Sequence, residues 1–250
     1  MLTINNQPYI NLDDHLPLDT LPDIDIIKQA IADSYDLIVP NTWQQNCLQN
    51  EDPYNCTWYA SEKTAKTKKE FFELELKEDI VSPYWILNLT DNHKRIVYDS
   101  IETPDEEWDN ITLKDIPDTW APMMEWIDNL TCFRKRGRIC FLLTRPGLPP
   151  QFHRDTGKPG HLKEIAPHRE EFIWFSITNN KTFVILNEDD NNKIVPIESQ
   201  SAFFNHSQLH GADFSPSYWQ ISCNIEGAFT DEFRKKLGID HIERYYYENV

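Results

Sequence analysis

The chain has 250 residues, of which 40% are hydrophobic and 12% aromatic; this favours a folded protein over a disordered one and allows one large domain or two small ones. The net charge of −17 argues against nucleic acids and anionic membranes as main partners, because either polyanion is repelled at long range.

Cysteine usage and the lack of targeting signals predict the compartment. The five cysteines show no Cys-x-x-Cys spacing, which favours reduced thiols over a disulfide framework or a zinc knuckle. No apolar run approaches the roughly 20 residues needed to span a bilayer, and the N-terminus lacks the pattern of a signal peptide. We therefore expect a soluble, cytoplasmic protein without a membrane partner.

The first part of the chain, residues 1–135, mixes helical and irregular signals. Apolar residues three or four positions apart predict a helix over residues 21–38 that starts near Pro22. The same spacing predicts a second amphipathic helix over residues 119–130. We expect residues 1–135 to form a mixed α and irregular region that packs on the rest of the chain.

From Arg138 onward, short runs rich in β-branched and aromatic residues alternate with turn signals, which is typical of an all-β sandwich or barrel. The eight predicted strands lie within residues 138–145, 151–155, 171–178, 181–188, 193–199, 201–206, 209–215 and 218–226. A helix that starts near Asp231 and stops at Gly238 should follow, within a C-terminal helix and tail of residues 229–250.

A histidine and an acidic residue lie one position apart in the second predicted strand. His153 and Asp155 should point to the same face of that strand. In an eight-stranded jelly roll, strands two and seven lie close together, so His210 on the seventh can join them. Two histidines and one carboxylate on one face form the ligand set that suits non-haem Fe(II), with coordination positions left open.

Other histidines offer alternatives. The His-x-Asp/Glu pattern also starts at His168 and His241, but the first precedes a strand whose alternation does not favour a shared inward face. The second lies in the polar C-terminal tail. His206 is close to His210 but looks like the end of the preceding strand. A zinc cluster of His161, His168 and His206, or a set of hydrogen-bonded polar residues on a barrel rim, stays open.

Residues 136–227 resemble the catalytic core of the Fe(II)- and 2-oxoglutarate-dependent dioxygenases. RGRICFLLTRPGLPPQFH resembles the strand, Pro-Gly turn and first metal histidine of the aspartyl/asparaginyl β-hydroxylase-like branch. Arg169 resembles the arginine that opens the next long strand there, and FFNHSQLHGA the segment with the distal histidine. The resemblance implies a double-stranded β-helix (jelly-roll) core over residues 136–228, flanked by helices. It also implies Fe(II) with 2-oxoglutarate and O2 as co-substrates.

The sequence departs from this pattern at two positions. The branch typically lacks the carboxylate ligand, whereas Asp155 is present here, as in the wider superfamily. The family also carries an arginine about ten residues after the distal histidine, where it binds the far carboxylate of 2-oxoglutarate; this chain has Gln220. Glutamine cannot form the charge-assisted bidentate pair. The candidate cations that could supply the charge are Arg169, Lys181, Arg138 and Arg145.

The function implied by the resemblance is hydroxylation of a small-molecule, amino-acid or peptide or protein substrate. The retained carboxylate at Asp155 favours hydroxylation, because halogenating relatives free that coordination position. No catalytic side chain beyond the metal centre is predicted. The alternative is a metal-binding jelly roll without oxygenase turnover, acting as a sensor or binding module, and Gln220 is its main support.

Overall fold

The computed structural model describes residues 7–34, 37–41, 84–90, 113–144, 151–153, 171–178, 183–187, 193–204, 209–212 and 220–239. In chain order the strands are β1 (Tyr9–Asn11), β2 (Ile38–Asn41), β3 (Tyr84–Asn88), β4 (Phe133–Thr144), β5 (Gln151–His153), β6 (Glu171–Ser176), β7 (Phe183–Asn187), β8 (Lys193–Pro196), β9 (Ser201–Phe204), β10 (His210–Ala212) and β11 (Gln220–Phe229). The helices are α1 (Ile24–Asp33), α2 (Ala121–Asp128) and α3 (Asp231–Leu237).

The strands form two antiparallel sheets. The large sheet has the order β1-β9-β6-β11-β4-β3-β2 and the small sheet the order β5-β10-β7-β8. The last eight strands therefore divide into four on four, β9-β6-β11-β4 facing β5-β10-β7-β8, which is the strand arrangement of a jelly roll. Each of the eight predicted runs overlaps one of these strands, although β4 begins earlier and β11 ends later than predicted. The predicted fold, mainly β with flanking helices around a double-stranded β-helix, is confirmed.

The expectation that the region before β4 would be helical and irregular is wrong in part. Strand β1 pairs with β9 at one edge of the large sheet, and β3 and β2 extend the sheet beyond β4. The residues of β3 form a short apolar run without alternation, and such a run cannot be assigned to strand or helix from its period. The first helix is also shorter than predicted, because Ile38 belongs to β2 instead.

The two other helical predictions agree with the structure. The helix predicted over residues 119–130 is a 3-10 turn at Asp118–Trp120 that continues into α2. Helix α3 starts behind Thr230, whose hydroxyl accepts a hydrogen bond from the Phe233 N–H, and it ends at Gly238 in the left-handed region with φ 68°. No helix in the described part of the chain is long and apolar enough to cross a membrane.

Helices cover the outer face of the large sheet. The Trp126 ring of α2 lies 5.3 Å from the ring of Phe175 on β6. The Trp120 ring, just before α2, lies 4.7 Å from the ring of Phe141 on β4. Both tryptophans are buried and are therefore core residues.

The inner face of the large sheet packs on the small sheet. The Trp174 ring of β6 lies 4.9 Å from the ring of Phe183 on β7, and the Phe204 ring of β9 lies 5.4 Å from the same phenylalanine. Because β6 and β9 belong to the large sheet and β7 to the small one, these rings fill the interior of the barrel. This identifies which positions of each strand face inward.

Candidate metal centre

The two histidines predicted as metal ligands lie directly opposite each other. Strands β5 and β10 pair antiparallel, and His153 and His210 are Cα partners in their register. Directly opposed residues of an antiparallel pair share one face of the sheet. The prediction that the second and seventh strands of the core are neighbours is thus confirmed, and the ladder places the two histidines on a common face.

That face is the interior of the barrel. The His210 ring lies 5.7 Å from the Phe183 ring of its own sheet and 5.0 Å from the Phe204 ring of the opposite sheet. His210 is only 2% exposed. Its imidazole is therefore held by packing against two aromatic rings.

The third predicted ligand, Asp155, lies outside the described residues, two positions beyond His153. Within the described ranges no group of three or more His, Cys, Asp or Glu side chains could hold a metal ion. The alternative histidines at 161, 168, 206 and 241 also lie outside these ranges. The three-ligand set therefore stays a prediction.

A row of polar side chains runs along the inner face of β11, the central strand of the large sheet. Cys223 is the partner of Phe141 and Phe175, whose rings pack on the helix side of the sheet. The residues that alternate with Ile221, Cys223 and Ile225 therefore face the small sheet. We call these residues the polar face of β11: Gln220, Ser222, Asn224 and Glu226. Gln220 and Ser222 are fully buried, so this polar row is not a solvent-exposed surface.

Several buried polar atoms on or beside this face have no hydrogen-bond partner in the described structure. They include Asn224 Oδ1, Trp174 Nε1 and Ser176 Oγ. Asn224 and Trp174 are Cα partners across β11 and β6, and Ser176 is the partner of Ser222. A buried polar group without a partner costs about 1–3 kcal/mol. Their clustering on one inward wall indicates a site for a polar ligand inside the barrel.

The two ends of the polar face of β11 differ in charge. At one end Gln220 is the partner of Thr144 on β4, and both are neutral and buried. At the other end Glu226 forms an ion pair with Arg138. These ends are six residue steps apart along β11, about 20 Å at 3.3 Å per residue.

This separation bears on the predicted co-substrate cations. Arg138 has its charge matched by Glu226 and lies far from Gln220 along the strand. Arg169, Lys181 and Arg145 lie outside the described residues. Among the described residues, Gln220 is the cross-strand partner of the neutral Thr144.

The described cysteines are free and buried: Cys132, Cys140 and Cys223. Burial raises the pKa of Cys132 to about 12. Burial, and secondarily the neighbouring Cys140, raise the pKa of Cys223 well above its usual value. The thiols of Cys132 and Cys223 therefore stay protonated at neutral pH, in agreement with reduced, unreactive cysteines.

Sequence reasoning missed the inward residues of the large sheet, of which Trp174, Asn224 and Glu226 are the clearest. A signal was present in the strict alternation of polar and apolar residues over 220–226. Alternation of this kind usually indicates a strand with one solvated face. Only the central position of β11 shows that the polar side faces the barrel interior.

No protein-family model and no curated protein sequence matches this chain. Parts of several solved structures are similar to it. The crystal structure of an oxidoreductase of the 2OG-Fe(II) oxygenase family from Burkholderia pseudomallei aligns with 64% of this chain and 80% of its own, at 8% identity and a TM-score of 0.35. The 2-oxoglutarate complex of the dioxygenase for auxin oxidation 1 from Arabidopsis thaliana aligns with 61% and 68%, at 12% identity and a TM-score of 0.34.

The crystal structure of EvdMO1 aligns with 36% of this chain, at 18% identity and a TM-score of 0.28. This chain spans only 26% of the length of EvdMO1. Similarities of this size do not define the protein, and the jelly-roll assignment rests on the order and pairing of the strands themselves.

Proposed function

We propose that this protein is an Fe(II)- and 2-oxoglutarate-dependent dioxygenase of the hydroxylase type, with an amino-acid, peptide or other small-molecule substrate. His153, Asp155 and His210 would hold the iron. The observation that carries the proposal is the cross-strand pairing of His153 with His210 on the interior face of a jelly roll. The sequence resemblance to the aspartyl/asparaginyl β-hydroxylase-like branch supports the same class.

The residues around His210 suit a metal ligand. Bound Fe(II) would supply the oxidative chemistry by activating O2 with 2-oxoglutarate. The chain itself fixes the imidazole, since contacts with Phe183 and Phe204 restrict the orientation of the His210 ring. The same rings exclude water from that side of the histidine pair. The polar face of β11 would provide hydrogen bonds to the bound organic molecules.

The far carboxylate of 2-oxoglutarate needs a cation as well as hydrogen bonds. A carboxylate buried among neutral groups such as Gln220 and Thr144 would be poorly paired. Arg169 is our first candidate for this cation, and Lys181 the second. Arg169 has the match to the family pattern, and Lys181 begins the run that contains β7.

The second candidate function is a metal-binding jelly roll without turnover, used as a sensor or binding module. Gln220 favours it, because this buried residue stands where the family has its co-substrate arginine. Such a protein would bind a metal through the same histidines. It would not bind 2-oxoglutarate on that metal.

One anaerobic spectrum separates the two functions. Purified protein is mixed with Fe(II) and then with 2-oxoglutarate in the absence of O2. The dioxygenase should develop the weak visible metal-to-ligand charge-transfer band of chelated 2-oxoglutarate, and His210→Gln should not. Fe(II) binding without this band would contradict the dioxygenase and support the binding module.

A further inference from the structure

The ion pair of Arg138 and Glu226 lies at the same end of the barrel as the paired histidines. Glu226 is the Cα partner of Phe172 on β6. The Phe172 ring lies 5.0 Å from the Phe204 ring, and the Phe204 ring lies 5.0 Å from the His210 ring. Two ring contacts thus connect the wall that carries Glu226 with His210. We call this region the histidine end of the barrel.

The ion pair lies at an irregularity in the pairing of β4 with β11. Ile225 pairs with Ile139 and Gly227 with Arg136, so β4 has one more residue than β11 in this interval. The extra residue forms a β-bulge opposite Glu226, and bulges next to functional sites re-aim side chains. A Cβ at position 137 would lie 3.2 Å from the carbonyl oxygen of Glu226. The glycine at this position therefore permits the close approach of the two strands.

The pair is mostly removed from water. The side chains of Arg138 and Glu226 are 22% and 15% exposed, whereas the surface pair of Lys236 and Glu232 is 58% and 80% exposed. Desolvating two charges offsets much of their attraction, so a buried ion pair is a weak source of stability. The position of this pair on the inner wall is better explained by a ligand than by folding.

Unfilled hydrogen-bonding capacity adjoins the pair. Asn224 lies two residues from Glu226 on the same face, and its buried Oδ1 has no hydrogen-bond partner. Directly opposite, Trp174 has a buried Nε1 donor that also has no partner. The Trp174 ring lies 4.9 Å from Phe183, which in turn contacts His210. An acceptor and a donor are therefore available between the ion pair and the histidine.

We propose that Arg138 and Glu226 form the subsite that recognises a zwitterion, so that the primary substrate is a free α-amino acid. Arg138 binds the α-carboxylate and Glu226 the α-ammonium group. Each of these partly desolvated charges then keeps an opposite partner when the ligand enters. A ligand with a single charge would leave either Arg138 or Glu226 without an opposite charge. A residue inside a peptide chain has neither a free α-carboxylate nor a free α-ammonium group to pair with them. This inference takes the substrate site of the proposed dioxygenase and narrows its substrate class.

The test on the unaltered protein compares ligands that have the same side chain but either charged or neutral α-amino and α-carboxyl groups. The twenty free L-amino acids and their N-acetyl amides are screened against the metal-free protein by thermal shift, followed by calorimetry on those that bind. At least one free amino acid should bind at least tenfold more tightly than its N-acetyl amide. Binding of none of them, or equal binding of the neutral derivative, would overturn the proposal.

Two substitutions test whether Arg138 and Glu226 bind the amino acid. Glu226→Gln and Arg138→Gln should each weaken binding of that amino acid at least tenfold, and Glu232→Gln in the exposed pair should leave it unchanged. A folded Glu226→Gln variant that binds with unaltered affinity would overturn the assignment. If neither substitution folds, the comparison of free and blocked amino acids still decides.

The amino-acid binding test and the anaerobic iron spectrum can succeed or fail independently of each other. Amino-acid binding without a charge-transfer band would keep the zwitterion subsite and reject the dioxygenase. A band without amino-acid binding would reject the subsite and keep the dioxygenase.

Discussion

Replacing His210 should affect both the metal and the fold, because this histidine is a predicted ligand and a packed residue at once. Its ring is 2% exposed and contacts the rings of Phe183 and Phe204. Substitution of a large buried side chain by alanine costs about 2–5 kcal/mol, depending on the cavity that remains. We expect about 2–3 kcal/mol for His210→Ala, since an imidazole is smaller than the phenylalanine ring at the upper end of that range.

The loss of metal binding should be separable from this loss of stability. His210→Gln keeps more of the side-chain volume and should cost under about 1.5 kcal/mol. Both variants should lose at least about 100-fold in Fe(II) affinity, as should His153→Ala, since loss of a group that merely supports a ligand already costs about 10–100-fold. A 100-fold loss corresponds to about 2.8 kcal/mol.

The assays are anaerobic Fe(II) calorimetry and urea unfolding of the metal-free protein followed by circular dichroism. His15→Ala is the matched control, because His15 is exposed, and both measurements should stay at the wild-type values. A folded His210→Gln variant with unchanged Fe(II) affinity would refute the ligand assignment. An unchanged unfolding free energy in His210→Ala would refute the packing argument.

Three further outcomes are expected. Arg169→Ala should weaken 2-oxoglutarate binding at least about tenfold, or about 1.4 kcal/mol, with Fe(II) affinity nearly unchanged; normal binding in both Arg169→Ala and Lys181→Ala would contradict the predicted cation. For Cys132, burial raises the pKa to about 12 from its usual 9.0, so only the unfolded state ionises as the pH rises above 9. The contribution of this thiol to the free energy of unfolding is fully present below pH 9 and is lost between pH 9 and 12, by up to about 1.4 kcal/mol per pH unit. Urea unfolding of Cys132→Ala should show a shallower decline of the unfolding free energy over the same pH range. Glu171→Gln should cost about 3–5 kcal/mol, because the buried carboxylate accepts from the backbone N–H of Phe229 at 2.7 Å and pairs with the arginine at 234 of α3. The same urea titration should give under about 0.5 kcal/mol for the exposed Glu232→Gln, and equal costs for the two would contradict this reasoning.

The jelly-roll core could be predicted because the residue types in its strands, the turn residues between them and the number of strands all indicate the same fold. Runs such as that of β7 are short, apolar and bounded by turn residues, and each forms one strand. The strands of the N-terminal region could not be predicted in the same way. β1 has three residues and β3 has no alternation, so both depend on pairing with β9 and β4, and that pairing is a tertiary interaction.

The histidine pair and the polar face of β11 show why one half of the site could be predicted and the other half could not. The short spacing between His153 and the next acidic residue is a local pattern with a known chemical use, and the strand count was enough to bring His210 beside it. The alternation over residues 220–226 is equally regular, but its meaning depends on what lies opposite. On an edge strand a row such as Gln, Ser, Asn and Glu would be hydrated, and its substitution would cost little. On the central strand of a sheet covered on both faces, Gln220 and Ser222 are buried and Asn224 and Glu226 are only partly exposed, so these groups depend more on partners other than water. The polar face of β11 therefore carries more information about the ligand than the histidines do, because the histidines indicate a metal whereas this face must match the molecule that binds beside it.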